Sequence, residues 1–179
     1  MFSACIRPEV VLRPVEERHA QTIFALVDRD RQDLRQWLPW IDATNSADDT
    51  LAFIRSARRK YARGVITAGI WFQDRFAGVI GMTNLHPLNR RLEIGYWLGR
   101  DFRGRGIMTD CCRAMVRHAL GEMEFNRVEI RCAPGNLRSK AIPKRLQFVQ
   151  EGILREAEVV NGHYYDLEVW SLLKKDLRD

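Results

Sequence analysis

The sequence has no long apolar run. Its longest apolar stretches, such as AGIWF and AGVIGM, fall far short of the roughly 18 residues a membrane span needs. The N-terminus MFSACIRPEV has no basic segment followed by a long apolar one, so no secretory signal is read there and a cytoplasmic protein with no membrane partner is expected. Cysteine is sparse: Cys5, Cys111, Cys112 and Cys132 show neither the paired CxxC spacing of a zinc site nor a disulfide framework, so reduced thiols and no metal are expected. Neighbours Cys111 and Cys112 would point about 100° apart on a helix, which argues against a bridge between them. There is no GxxxxGK[ST] phosphate loop and no GxGxxG opening an N-terminal βαβ unit, which excludes the two commonest nucleotide motifs. No aromatic RNP motif or long basic block is present, and no specific nucleic-acid partner is expected.

What remains is the composition of one folded domain, 1–179: 46% hydrophobic and 29% charged residues, with no biased tract that would mark a linker. The 29 basic residues exceed the 23 acidic ones, giving +6. That balance favours polyanionic surroundings such as nucleic acid, a ribosome or a phosphorylated cofactor, without choosing among them.

The apolar pattern predicts a strand in VVLRPV (10–15), then a helix over 18–30 with Ile23, Leu26 and Val27 on one face, and a short helix carrying LRQWLPW. A further helix opens at Ser46, with Asp49 as its acidic third residue, and closes at Gly64. A β-rich stretch follows, broken at Asp74-Arg75 and at Pro87-Leu88-Asn89. Next come a helix over 108–124, the strand RVEIRCA, and a helix over 139–146 with Pro143 in its first turn. Two long strands joined at Asn161-Gly162 close the chain. The order is that of an α+β, mixed α/β domain with a mostly antiparallel sheet.

The stretch RDFRGRGIM (100–108) joins the strand-like LEIGYWL to a helix. A strand, a glycine-rich loop and a helix bring backbone N–H groups and the helix dipole to bear on an anion. Gly104 and Gly106 would let a diphosphate approach the main chain, and Arg103 and Arg105 would add charge. The same residues also suit a solvated basic turn.

The strings EIGYWLGRDFRGRGIMTDCCRAMVRHA, NRVEIRCAPGNLRSKAIPKRLQFVQEG and VNGHYYDLEVWSLLKKDL, with LRQWLPW near the N-terminus, resemble the GNAT superfamily of acyl-CoA-dependent N-acetyltransferases. Within it the resemblance is to ribosomal-protein N-acetyltransferases of the RimJ/RimL type. It implies the GNAT fold, a twisted sheet of about 6–7 strands flanked by helices and splayed between the fourth and fifth strands. The family's pyrophosphate motif falls on Arg103, Gly106 and Met108, where Met108 departs from the usual small residue. The implied cofactor residues are Tyr96, Trp97 and Leu98, the run Arg103, Gly104, Arg105, Gly106, Ile107, Met108 and Thr109, and Asn136. Gln147 is a second departure, standing where the family commonly has Gly.

Acetyl-CoA is then the implied cosubstrate, and the acceptor a protein N-terminus, with a small-molecule amine or antibiotic as the alternative. A homodimer and association with ribosomes are implied as well. Ser139 matches the serine proposed to act near the CoA sulfur; its other reading is a helix N-cap. Glu158 matches the carboxylate proposed as general base. With Glu156 it sits at strand spacing on one face, which is also how a solvent-exposed edge looks. The alternative for Asn136 is a turn or capping role. Asp166 is read as structural or substrate-orienting, and lone His86 and His163 as structural. The positions of the cysteines offer no activated nucleophile, so direct attack of the amine in a ternary complex is expected. A CoA-binding regulator without catalysis and an RNA-binding protein are the rival classes.

Overall fold

In the computed structural model, residues 2–177 are described. Eight strands form a sheet: β1 (Ala4–Arg7), β2 (Val10–Pro14), β3 (Thr67–Phe72), β4 (Arg75–His86), β5 (Arg91–Leu98), β6 (Arg127–Cys132), β7 (Val149–Val160) and β8 (His163–Leu173). Their order is β1-β2-β3-β4-β5-β6-β8-β7. The β1–β2, β2–β3, β3–β4, β6–β8 and β7–β8 ladders are antiparallel, and β5–β6 is parallel. This is the expected mixed α/β architecture with one more strand than the pattern supplied. β1 has only four residues, none of them buried, so it carries no alternation to read.

Five α-helices accompany the sheet: α1 (Ala20–Arg29), α2 (Arg31–Leu34), α3 (Ala47–Tyr61), α4 (Ile107–Leu120) and α5 (Leu137–Arg145). None is long and apolar enough to cross a membrane. The chain divides into two units, 2–81 with 96–107, and 82–95 with 108–177.

In the first unit, α1 buries Ile23, Leu26 and Val27 and packs on α3, which buries Ile54 and Ala57. The α3 start is the expected capping box: the Asp49 amide donates to Ser46 Oγ, and Asp49 Oδ2 accepts from the Ser46 amide at 2.9 Å. The short helix expected over LRQWLPW (34–40) is not formed: α2 (Arg31–Leu34) ends at the first residue of that stretch, and the chain continues as turns.

In the second unit, alternate residues of β5, β6 and β8 are buried: Leu92 and Ile94, Val128 and Ile130, Trp170 and Leu172. α4 stops at Leu120, four residues short of the expectation, and Glu124 takes a left-handed φ of 56°. Pro143 lies in the C-terminal half of α5, not in its first turn, because the helix starts at Leu137. Asn161 and Gly162 both have positive φ, 52° and 76°, as the β7–β8 hairpin turn requires.

Candidate active site

In the first unit, β5 runs into a 3-10 turn (Arg100–Phe102) and then the loop ahead of α4. Gly104 and Gly106 each have φ +74°, so both positions favour glycine on backbone grounds alone. A Cβ built on Gly104 meets nothing within 4 Å. The loop is therefore left-handed and open above its first glycine, the shape a close-approaching phosphate needs. Ile107, Met108 and Thr109 are buried, so the first turn of α4 offers its amides rather than these side chains. The Met108 side chain is an interior group.

The arginines of this loop are engaged by the protein. Arg103 Nε donates to the Leu98 carbonyl at 3.1 Å, and its guanidinium pairs with Asp33 at 2.5 Å. The Arg105 carbonyl accepts from Arg7, and its guanidinium lies over the Phe72 ring at 5.4 Å. Ahead of the loop, Asp30 is 7% exposed and accepts the Arg100 amide at 2.7 Å and both arms of Arg29. Burial opposes its charge, but the Arg29 guanidinium and the Arg100 amide outweigh it and hold the carboxyl below its usual range. Asp30 and Asp33 are supporting residues that the sequence reading missed, since nothing local signals a partner about seventy residues away. Tyr96, Trp97 and Leu98 lie half-buried at the end of β5. The β5–β6 ladder holds the pairs Arg91↔Arg127, Leu92↔Val128 and Glu93↔Glu129, ending well short of the β5 terminus at Leu98.

In the second unit, Asn136 caps α5: its Oδ1 accepts the Ser139 amide at 3.2 Å. Ser139 is thus inside the helix and is not its N-cap, while its hydroxyl hydrogen-bonds the Cys132 thiol. Burial first, then the Glu168 charge, pushes that thiol up to about 11, so it is protonated at neutral pH. Glu168, buried on β8, accepts from Lys140 Nζ at 2.5 Å and from Trp170 Nε1 at 3.0 Å, anchoring α5. α5 ends in a Schellman cap, with Phe148 N bonded to Pro143 O and Gln147 N to Lys144 O. Gln147 occupies the left-handed position at φ 61°, so the turn expected of the family's Gly is kept by a non-glycine residue.

The two carboxylates of β7 are not equivalent. Leu154 pairs with Leu167 but Glu158 pairs with Tyr165, so three residues, Arg155, Glu156 and Ala157, stand opposite Asp166 alone. Glu156 is exposed and left-handed at φ 49°, and its amide donates to Asp166 Oδ1 at 2.8 Å. The expectation that Glu156 and Glu158 share regular strand spacing is therefore corrected: Glu156 belongs to a bulge. Glu158 is half-buried, and its carboxyl is raised above the usual range by burial first and by the Glu93 charge second.

Glu93, which the sequence reading did not single out, is fixed by Asn84 Nδ2 at 2.9 Å and lies 3.5 Å from Arg131. Arg131 also pairs with buried Glu129, which Arg127 engages on its other side. Arg127 in turn holds Glu151, driving that carboxyl down to about 2, with Ser171 donating to the same group. Glu93 and Glu158 thus sit at one end of a charge network otherwise well neutralised.

The GNAT acetyltransferase domain model matches residues 9–149. The chain belongs to the GNAT acetyltransferase family. It is 37% identical over 178 residues to the protein YdaF of Bacillus subtilis (strain 168), covering 98% of this chain and 97% of the relative. It is 30% identical over 161 residues to the ribosomal-protein-serine acetyltransferase of Escherichia coli (strain K12), covering 89% and 90%. A solved RimL ribosomal L7/L12 α-N-protein acetyltransferase in complex with coenzyme A superposes with TM-score 0.93 at 28% identity, covering 98% of this chain and 99% of that one.

This GNAT chain is accordingly an N-acetyltransferase with acetyl-CoA as its cosubstrate, of the kind its sequence resembles.

Proposed function

We propose that the protein acetylates the N-terminal α-amine of a ribosomal protein, the amine attacking the thioester carbonyl directly in a ternary complex. The observation that carries this reading is the whole-length similarity to relatives named for ribosomal-protein acetylation. In the proposal the whole chain works as one acetyltransferase domain. The amides of Gly104, Gly106, Ile107, Met108 and Thr109 hold the diphosphate, with Arg103 and Arg105 keeping that loop in shape. Tyr96, Trp97 and Leu98 pair with the pantetheine arm through their main chain, as a strand edge pairs with an added strand. Asn136 bonds the same arm.

Glu158 is the general base. An α-ammonium has a pKa near 7.7–8.0, so a carboxylate raised by burial and by Glu93 is better matched to take its proton than an ordinary one. Once Glu158 has taken that proton, the freed lone pair forms the nitrogen–carbonyl bond, and the second proton, now on a positively charged nitrogen, leaves to solvent as the intermediate collapses to the amide. When the carbon–sulfur bond breaks, the electron pair leaves with the CoA thiolate, to which the Ser139 hydroxyl donates a hydrogen bond. Positioning supplies much of the acceleration. The protein is further proposed to act in the cytoplasm, at or near ribosomes, as a homodimer.

The test is incubation with acetyl-CoA of ribosomal proteins, a panel of peptides with free N-terminal serine, alanine or methionine, and small amines, read by mass spectrometry. Acetylation of a ribosomal protein or peptide α-amine is expected. Transfer only to small amines overturns the acceptor assignment.

A further inference from the structure

We propose that Asp166 is a positioning residue for Glu158: by accepting the Glu156 amide proton it locks the bulge that seats Glu158 opposite Tyr165. The inference rests on Glu158 being the general base.

Before the bulge the β7–β8 register runs Gly152↔Val169, Ile153↔Glu168, Leu154↔Leu167; after it, Glu158↔Tyr165, Val159↔Tyr164, Val160↔His163. Continued without a bulge, the first register would put Glu156 opposite Tyr165. The bulge inserts two residues, and because strand sides alternate with a period of two, it advances Glu158 into that place on the same face.

The face matters. On β8, Tyr165 shares its side with Ser171, which is paired with Glu129, itself paired with Glu93. Glu158 thus stands on the side of the sheet that carries Glu93. Bulges recur where a side chain must be re-aimed.

The Asp166 carboxylate locks this bulge. Glu156 is held left-handed without being glycine, a conformation that costs an L-residue roughly 1–2 kcal/mol, and its amide is turned out of the ladder onto the Asp166 carboxylate. Both side chains are exposed, so Asp166 acts on Glu158 through the main chain and not through core packing. The role needs an acceptor oxygen, not a charge.

That distinction sets the test. With acetyl-CoA and a peptide bearing a free N-terminal serine, Asp166→Ala is expected to lower kcat about tenfold or more, since misplacement of a reacting group by roughly 1 Å can cost up to about a hundredfold. The KM for acetyl-CoA stays within about twofold, and thermal melts confirm that the variant is folded. Asp166→Asn keeps the acceptor oxygen and restores kcat to within about twofold of the parent. Glu156→Gly, which removes the left-handed cost and the second carboxylate together, also keeps kcat. Glu158→Gln is measured in parallel and is expected to be nearly inactive.

Full kcat in Asp166→Ala alongside an inactive Glu158→Gln overturns the positioning role alone. An Asp166→Asn variant as impaired as Asp166→Ala overturns it in favour of a charge effect. Full kcat in Glu158→Gln overturns the general-base reading and this inference with it.

Discussion

Gly78 on β4 is where the smallest change should have the largest consequence for the cofactor strand. A Cβ built there falls 2.2 Å from the Trp97 carbonyl oxygen and 3.0 Å from the Leu98 Cα. Both are main-chain atoms, so no rotamer change relieves the clash. Gly78→Ala must drive the two strands apart by about 1 Å, an overpacking that costs about 1–3 kcal/mol. For a chain of this length each kcal/mol lowers Tm by about 2–4 °C, so a loss of roughly 2–12 °C is expected. The displaced residues, Trp97 and Leu98, are those assigned to the pantetheine arm, so the KM for acetyl-CoA should rise about tenfold or more by the same positional argument. Gly95 on β5 is the control, since its built Cβ meets nothing within 4 Å. Differential scanning fluorimetry and thiol-release kinetics on both alanine variants give the answer. Parental Tm and KM in Gly78→Ala, or equal damage from Gly95→Ala, would refute the reasoning.

Gln147→Gly should stabilise the protein by about 1 kcal/mol, because it removes a side chain from the left-handed position of the α5 cap; an unchanged or lower Tm counts against that account of the turn. Glu158→Gln should separate stability from activity. The Glu158 carboxyl is raised in the folded state, so its contribution is fully present below the ordinary carboxylate pKa and is lost as pH rises through the folded value. The variant should therefore melt higher than the parent at pH 7 but not at pH 3, while turnover falls about a hundredfold or more. Equal melting curves at both pH values would contradict the burial argument. Cys132→Ala should keep turnover within a few-fold, since its thiol, raised to about 11, is a poor nucleophile at neutral pH. A burst of acetyl-enzyme that disappears in this variant would reverse that conclusion.

Features set by neighbouring residues were legible in the sequence. The Ser46–Asp49 capping box and the Asn161-Gly162 turn each depend on a few adjacent side chains or on backbone permissiveness. Gly104 and Gly106 likewise carry the left-handed backbone that their residue type suggests. What the sequence concealed depends on partners far along the chain or on broken periodicity. The β7 bulge is invisible to an alternation rule, because its left-handed residue is a glutamate and its lock, Asp166, comes from the next strand. Asp30 and Asp33 look like ordinary polar residues near the end of a helix until the loop comes back to them. Arg103 and Arg105 drew attention through their charge, yet the structure spends both in bracing the loop. Ser139 and Asn136 were each open to a capping role, and it is Asn136 that takes it.

The central claim is acetyl transfer from acetyl-CoA to a protein α-amine, and mass spectrometry of ribosomal proteins after incubation with the purified enzyme and acetyl-CoA tests it most directly. The account predicts one acetyl group gained on the N-terminal residue of a ribosomal protein, lost when acetyl-CoA is omitted and when Glu158 is replaced by Gln. No acetyl gain on any ribosomal protein or peptide α-amine, with acetyl-CoA bound and intact, would contradict it.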